Sequence, residues 1–227
     1  MRRPEFIARQ SRCPSGFLGR VIGHIMSFET AAANDEALKA LDLQPADRVL
    51  EVGFGHGRTI ERAASMVPQG LVAGIDTSEE MVQMATRRCR HLIDQNRVRL
   101  TLGDSARLPY PDRFFDKGYA IHTLYFWDDP QVHLRELHRV LRDGARFLLG
   151  FRPKEDGAAA DFPDSIYRFY TSDEVLHLLR STGFADARVE RRGDASGGLA
   201  LGIALREPTS ARPGARLRSK DDCWNSR

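Results

Sequence analysis

The stretch RVLEVGFGHG, residues 48–57, reads as a short strand running into a glycine-rich turn. Val49, Leu50 and Val52 make a continuous apolar run of the kind a strand shows when both faces of its sheet are covered. Gly53, Gly55 and Gly57 follow at alternate positions, where missing side chains permit a tight turn and a close backbone approach by a ligand. The next residues, Arg58 to Met66, have helical spacing. A strand, a glycine turn and a helix in that order form the opening unit of a parallel sheet.

Outward from this unit the alternation continues. The pattern predicts strands at Leu71–Ile75, Val98–Leu102, Phe115–Ile121 and Phe147–Phe151. Helices are expected over Ser78–Ile93, with Ser78 as N-cap, and over Gln131–Leu141, entered through Asp128, Asp129 and Pro130. Thr171 and Glu174 have capping-box spacing and open a helix reaching about Thr182. Arg188–Arg192 and Leu199–Leu205 are the sixth and seventh candidate strands. Too few residues separate them for a parallel crossover, which needs about a dozen. The last pair is therefore a hairpin across the turn-rich Gly193–Gly198, and the final strand runs antiparallel to the rest. Upstream, Gly16–Ser27 and Ala31–Leu41 read as helices. The expected organisation is a helical cap over 1–46, a main domain over 47–206 with an insert at 152–170, and a mobile tail over 207–227.

The chain has 227 residues, 41% hydrophobic and 29% charged, enough apolar content for one globular core. No apolar run approaches the roughly 20 residues that span a bilayer, and no secretory signal is visible. Cys13, Cys89 and Cys223 offer neither a metal spacing nor a disulfide framework, so the expected compartment is the reducing cytoplasm. The net charge of +3 is too small to imply nucleic acid. No histidine pair has metal-ligand spacing. His91, His133, His138 and His177 read as surface or packing residues, with His133 and His138 on an exposed-looking helix.

Three acids carry the chemistry. Glu51 ends the first strand beside the glycines, where a carboxylate suits a cationic amino group and would repel a pyrophosphate. The spacing G-x-G-x-G also departs from the dinucleotide pattern G-x-G-x-x-G. Asp76 ends the second strand, where a carboxylate can accept from both hydroxyls of a ribose. Asp104, after the third strand, can accept from an exocyclic amine while a neighbouring backbone N–H meets a ring nitrogen, a pair of contacts that selects adenine. Each acid could instead be a turn or capping residue. Together they fall at the ends of three consecutive strands.

These pieces resemble the class I S-adenosylmethionine-dependent methyltransferases. The resemblance is carried by VLEVGFGHG (49–57), GIDTSEEMVQMA (74–85), GDSARLPYPDRFFD (103–116) and ELHRVLRDG (136–144), and covers residues 47–206. It implies an α/β, three-layer Rossmann-like methyltransferase fold, with a mostly parallel seven-stranded sheet, an antiparallel last strand and helices on both faces. It implies S-adenosylmethionine as cofactor and S-adenosylhomocysteine as product. Glu51, Gly53, Gly55 and Gly57 would flank the methionine part. Asp76, with Thr77 beside it, would hold the ribose, and Asp104, Ser105 and Ala106 the adenine. Asp143-Gly144-Ala145 departs from the Pro-Gly-Gly of many relatives, at a turn remote from the ligand.

The acceptor end is less determined. His122 is the candidate general base after the fourth strand, or else a hydrogen-bonding side chain shaping the cofactor pocket. Tyr125 is a second candidate catalytic residue and, with Phe126 and Trp127, forms either an aromatic wall or core packing. Met26, Phe28 and Asn34 in the N-terminal helices, and Phe162, Ile166, Tyr167, Phe169 and Tyr170 in the insert, are expected to close the pocket. The expected partner is a small organic molecule methylated on oxygen, nitrogen, sulfur or carbon. No nucleic acid and no stable membrane insertion are expected, and the chain reads as a monomer or homodimer. The alternatives are an RNA or protein methyltransferase, which Arg212, Arg216 and Arg218 keep open, and a catalytically silent cofactor-binding module.

Overall fold

The computed structural model describes residues 3–192 and 198–207. Three helices lead into the sheet: α1 (Glu5–Arg12), α2 (Gly16–Glu29) and α3 (Ala31–Leu41). The alternating unit follows as β1 (Arg48–Val52), α4 (Arg58–Met66), β2 (Leu71–Asp76), α5 (Glu79–Arg88), α6 (Arg90–Asp94), β3 (Val98–Leu102) and β4 (Phe115–Ile121). Next come α7 (Pro130–Val140), β5 (Leu141–Phe151), α8 (Ser172–Ser181), β6 (Phe184–Arg192) and β7 (Leu199–Arg206).

The strands form one seven-stranded sheet in the order β3-β2-β1-β4-β5-β7-β6. β1 to β5 are mutually parallel, and β7 lies antiparallel between β5 and β6. The short link after β6 forces this arrangement, as the loop-length argument requires. The turn expected at 193–198 falls almost wholly outside the described residues, and so does the expected tail apart from Glu207.

Side chains alternate between two cores. On β5, Phe147, Leu149 and Phe151 face α7 and α8, packing with Leu134, Leu137, Val175 and Leu179. Leu148 faces the other way, toward Leu38, Leu41, Ile60 and Ala63 of α3 and α4. With both faces dry, the inner strands are nearly all apolar, as in the fully buried VAGI (72–75) of β2. The chain leaves β1 toward β3, then returns to β4 on the opposite side of β1. The crevice at that reversal is where a sheet of this kind binds ligands.

Several boundaries differ from the sequence expectation. α1 is an additional helix that buries only Ala8 and Ser11 and so shows little apolar pattern. The helix expected over 78–93 is broken at Cys89, whose buried thiol packs beneath Gly57 with its Sγ 3.7 Å from the Gly57 carbonyl oxygen. β5 starts at Leu141 rather than Phe147, because Leu141 pairs with Phe115 ahead of a register shift. β6 likewise starts at Phe184, before a shift between Ala185 and Arg188.

Candidate active site

β1, β2 and β3 end side by side, with Val52 paired to Ile75 and Asp76 to Leu102. The glycine loop is tied to this edge by two hydrogen bonds. The Gly53 N–H donates to the Ile75 carbonyl at 2.8 Å, and the Gly55 N–H donates to Asp76 Oδ2 at 2.8 Å. Asp76 Oδ1 accepts from the Ser78 N–H at 2.9 Å, so one carboxylate joins the loop to the start of α5. Ser78 caps that helix, accepting from the Met81 N–H at 3.2 Å.

A cavity of about 410 Å³ opens above these strand ends. Among the predicted site residues, Glu51, Gly53, Gly55, Asp76, Thr77, Asp104, Ser105 and His122 line it. Arg12, Met26 and Asn34 close it from the N-terminal side. Gly57, Ala106 and Tyr125 are not on its wall. Gly57 has φ +84° and sits against α5, where an added Cβ would lie 2.7 Å from the Ala85 Cβ. Its role is close packing of the loop on a helix. The Ala106 N–H is already spent on Asp104 Oδ1 at 2.8 Å, closing a turn, and so is not free to meet a ring nitrogen.

Two buried carboxyls set the electrostatics. Glu51 is 4% exposed, and burial pushes its pKa up to about 8, against the hydrogen bond it accepts from Tyr119 Oη at 2.7 Å. Glu51 and Tyr119 are neighbours across the β1–β4 pairing, which places them on one face. Asp76 is also raised by burial, opposed by the N–H groups of Ser78, Gly55 and Thr77. This end of the cavity resists anions and would be relieved by a cation.

The far end is flat and aromatic. His133 is buried, not exposed as the sequence suggested, and stacks on Trp127 with ring centres 4.7 Å apart and planes 6° from parallel. Its Nδ1 lies 2.8 Å from Ser105 Oγ, and burial lowers its pKa. A signal was available, since His133 falls on the buried stripe of α7 with Pro130, Leu134, Leu137 and Val140. His138 is half-buried and packs edge-on against Phe184, the packing alternative of its reading.

His122 sits at the end of β4 with φ +57°, a left-handed conformation uncommon for a residue with a side chain. Its N–H donates to the Gly150 carbonyl at 2.8 Å. Its Nδ1 lies 3.1 Å from Tyr125 Oη, which accepts from the Arg152 N–H at 2.5 Å. The Tyr125 hydroxyl, itself held by the Arg152 N–H, orients the His122 ring through Nδ1. Burial first, and then the Arg152 charge, lower the His122 pKa to about 4. Burial pushes the Tyr125 hydroxyl up, so both groups are neutral at physiological pH. Among the described residues no group of three His, Cys, Asp or Glu is arranged to hold a metal ion, and no helix is long and apolar enough to cross a membrane.

A family model described as a methyltransferase domain matches residues 50–149. The chain is 27% identical over 170 residues to the "Uncharacterized methyltransferase YdaC" of Bacillus subtilis, covering 75% of this chain and 89% of that protein. It is 34% identical over 135 residues to the 27-O-demethylrifamycin SV methyltransferase of Amycolatopsis mediterranei, covering 58% of this chain and 49% of that one. The solved structure of a SAM-dependent methyltransferase from Aquifex aeolicus superposes with a TM-score of 0.63 at 26% identity, over 76% of this chain and 89% of that chain. The chain carries a methyltransferase domain and has the fold of the class I S-adenosylmethionine-dependent methyltransferases. The chain spans about half the length of several of the curated relatives it matches. Its cavity suits the cofactor on chemical grounds: side-chain-free backbone at Gly53 and Gly55, a buried acid short of a cation at Glu51, acceptors at Asp76 and Asp104, and a flat stack at Trp127 and His133.

Proposed function

We propose that this methyltransferase holds its cofactor across the ends of β1, β2 and β3 and serves a small organic acceptor. Glu51 takes the ammonium group of the methionine part, beside the backbone of Gly53 and Gly55. Asp76, with Thr77 next to it, accepts from the ribose hydroxyls. Asp104 accepts from the adenine amine, and the Trp127–His133 stack lies along the ring. When bound, S-adenosylmethionine supplies a methyl carbon made electrophilic by a cationic sulfur. The chain's part is then to align the acceptor and exclude water. With a neutral ring and a pKa near 4, His122 is a weak base at physiological pH. Its ring, held at Nδ1 by Tyr125, shapes the wall between the cofactor space and what lies beside it.

The observation that carries this reading is one cavity lined by Glu51, Asp76 and Asp104 from the tips of adjacent, in-register strands. The rifamycin relative's name points to a small-molecule acceptor, and the cysteine pattern supports a cytoplasmic setting. Calorimetry with S-adenosylhomocysteine, S-adenosylmethionine and NAD tests the assignment. The first two should bind and NAD should not. Asp76→Ala, which removes charged hydrogen bonds of about 1.5–3 kcal/mol, should weaken both by roughly 10- to 150-fold. Undiminished affinity in that variant would remove the ribose assignment. Turnover against a panel of phenols, amines, thiols and carboxylates separates an enzyme from a sensor.

A further inference from the structure

We infer that a second, smaller cavity behind His122 is the acceptor subsite, and that it takes a single-ring aromatic oxyanion paired with Arg152. The inference rests on the cofactor assignment above for its direction. The cavity measures about 60 Å³ and shares Met26, Thr30, His122 and Phe126 with the larger one, so its contents lie next to the cofactor space. Its remaining walls are four aromatic residues and two arginines. Tyr125, Phe162, Tyr167 and Phe169 contribute rings, with Tyr125 and Phe169 4.8 Å apart and Phe162 and Tyr167 4.7 Å apart. Rings in such a box favour another ring stacked or edge-on among them.

The charge is one-sided. Two guanidinium groups, Arg3 and Arg152, line the cavity and no carboxylate does. Arg3 lies over the Phe162 ring at 4.9 Å, and its N–H donates to the Asp161 carbonyl at 2.6 Å. None of the ion pairs or side-chain hydrogen bonds among the described residues uses the Arg152 guanidinium, which is only partly exposed. Its backbone is fixed instead, the N–H donating to Tyr125 Oη. A half-buried guanidinium without a carboxylate partner, at the edge of an aromatic box, is built to receive a planar oxyanion. Two ligand types share that chemistry, an aryl carboxylate and a phenol that ionises against the arginine. Either arrives without a proton on the oxygen that faces Arg152, which agrees with a histidine too weakly basic to remove one.

The test uses fluorine NMR on the full chain saturated with S-adenosylhomocysteine. The probes are 4-fluorobenzoate, 4-fluorophenol and 4-fluoroaniline. At least one of the first two should bind, and the aniline should bind at least tenfold more weakly. Arg152→Gln should weaken the oxyanion probe at least tenfold, and Arg152→Lys should recover part of the loss. S-adenosylhomocysteine affinity should stay within twofold in both variants, which reports that the fold and the cofactor cavity are intact. Binding of benzoate alone assigns an aryl acid; binding of the phenol that strengthens as pH rises assigns a phenolate. Equal affinity of wild type and Arg152→Gln, equal affinity for the aniline, or no binding of any probe would overturn the inference. Failure of S-adenosylhomocysteine to bind the wild-type protein would instead strike the cofactor assignment, and the ring probes would still judge Arg152 in its absence.

Discussion

At Glu51 a carboxyl group is kept where ionising it is costly, because burial outweighs the Tyr119 hydrogen bond and Asp76 adds a like charge. With a folded pKa of about 8 the group is mostly protonated at pH 7. An ammonium placed against it would pull that pKa down and expel the proton. Calorimetry in buffers of different ionisation enthalpy should therefore show release of close to one proton per S-adenosylhomocysteine at pH 7, fading above pH 9 and absent in Glu51→Gln. The same shift has a sign for stability. An acid whose pKa is raised on folding binds more protons folded than unfolded between its ordinary value of 4.5 and about 8. Its ionisation therefore subtracts stability progressively as pH rises through that window. Glu51→Gln should gain melting temperature relative to wild type at pH 8 and lose that advantage at pH 5; a pH-independent difference would contradict the buried-acid account. The three acids were legible from the sequence because each ends a strand in a turn. His133 left only its place on the buried stripe of α7 as a signal, and Arg152 left none. The arginine matters only through a wall assembled from residues 3 to 169.

Loop and helix meet at the glycines, and two substitutions there separate packing from binding. Gly57→Ala strains a left-handed backbone and drives a Cβ into Ala85 of α5. The combined cost should be about 2–4 kcal/mol, seen as a lowered urea midpoint. Gly55→Ala adds a Cβ that meets no protein atom within 4 Å, so it carries the backbone strain alone, about 1–2 kcal/mol. That Cβ enters the cofactor cavity, so its larger effect should be on S-adenosylhomocysteine affinity. Equal stability losses would show that α5 does not press on Gly57. The same contrast explains what could be read in advance. Five inner strands announce themselves as apolar runs bounded by turns, and Thr171 with Glu174 forms the capping box that its spacing predicts. The start of β5 stayed hidden because Arg142, Asp143 and Gly144 look like a turn, and only the pairing of Leu141 with Phe115 makes them part of a strand. The break at Cys89 has no Pro or Gly to mark it, since it is made by tertiary packing against Gly57.

Across the whole molecule the cofactor cavity has two sides with different anchorage. The strand tips belong to a sheet buried on both faces, whereas α1 and α2 bury only a few residues, Ala8, Ser11 and Ile22 among them, and are otherwise held by scattered polar ties. Among them are Arg20 to Glu80 at 2.5 Å, Arg12 to Asp128 at 3.1 Å, and the Ser78 hydroxyl donating to the Pro14 carbonyl at 2.5 Å. Exposed ion pairs of this kind contribute about 0–1 kcal/mol each. The outer side of α2 leaves Phe17, Leu18, Val21 and Ile25 in solvent, Phe17 being 82% exposed, so burial adds little there. The proposed cap should open locally far more often than the sheet does. A ligand touching both sides ties them together: at a hundredfold excess over its Kd it adds about 2.7 kcal/mol against any opening that breaks the site. Amide exchange followed by mass spectrometry should thus find residues 5–30 fast in the free protein and slowed up to about 100-fold with S-adenosylhomocysteine, while β4 and β5 exchange slowly in both states. Exchange in α1 and α2 that ignores the ligand would mean that these helices do not close over it. The acceptor cavity, which shares Met26 and Thr30 with the cofactor cavity, would then also lose its N-terminal wall as a determinant of what binds.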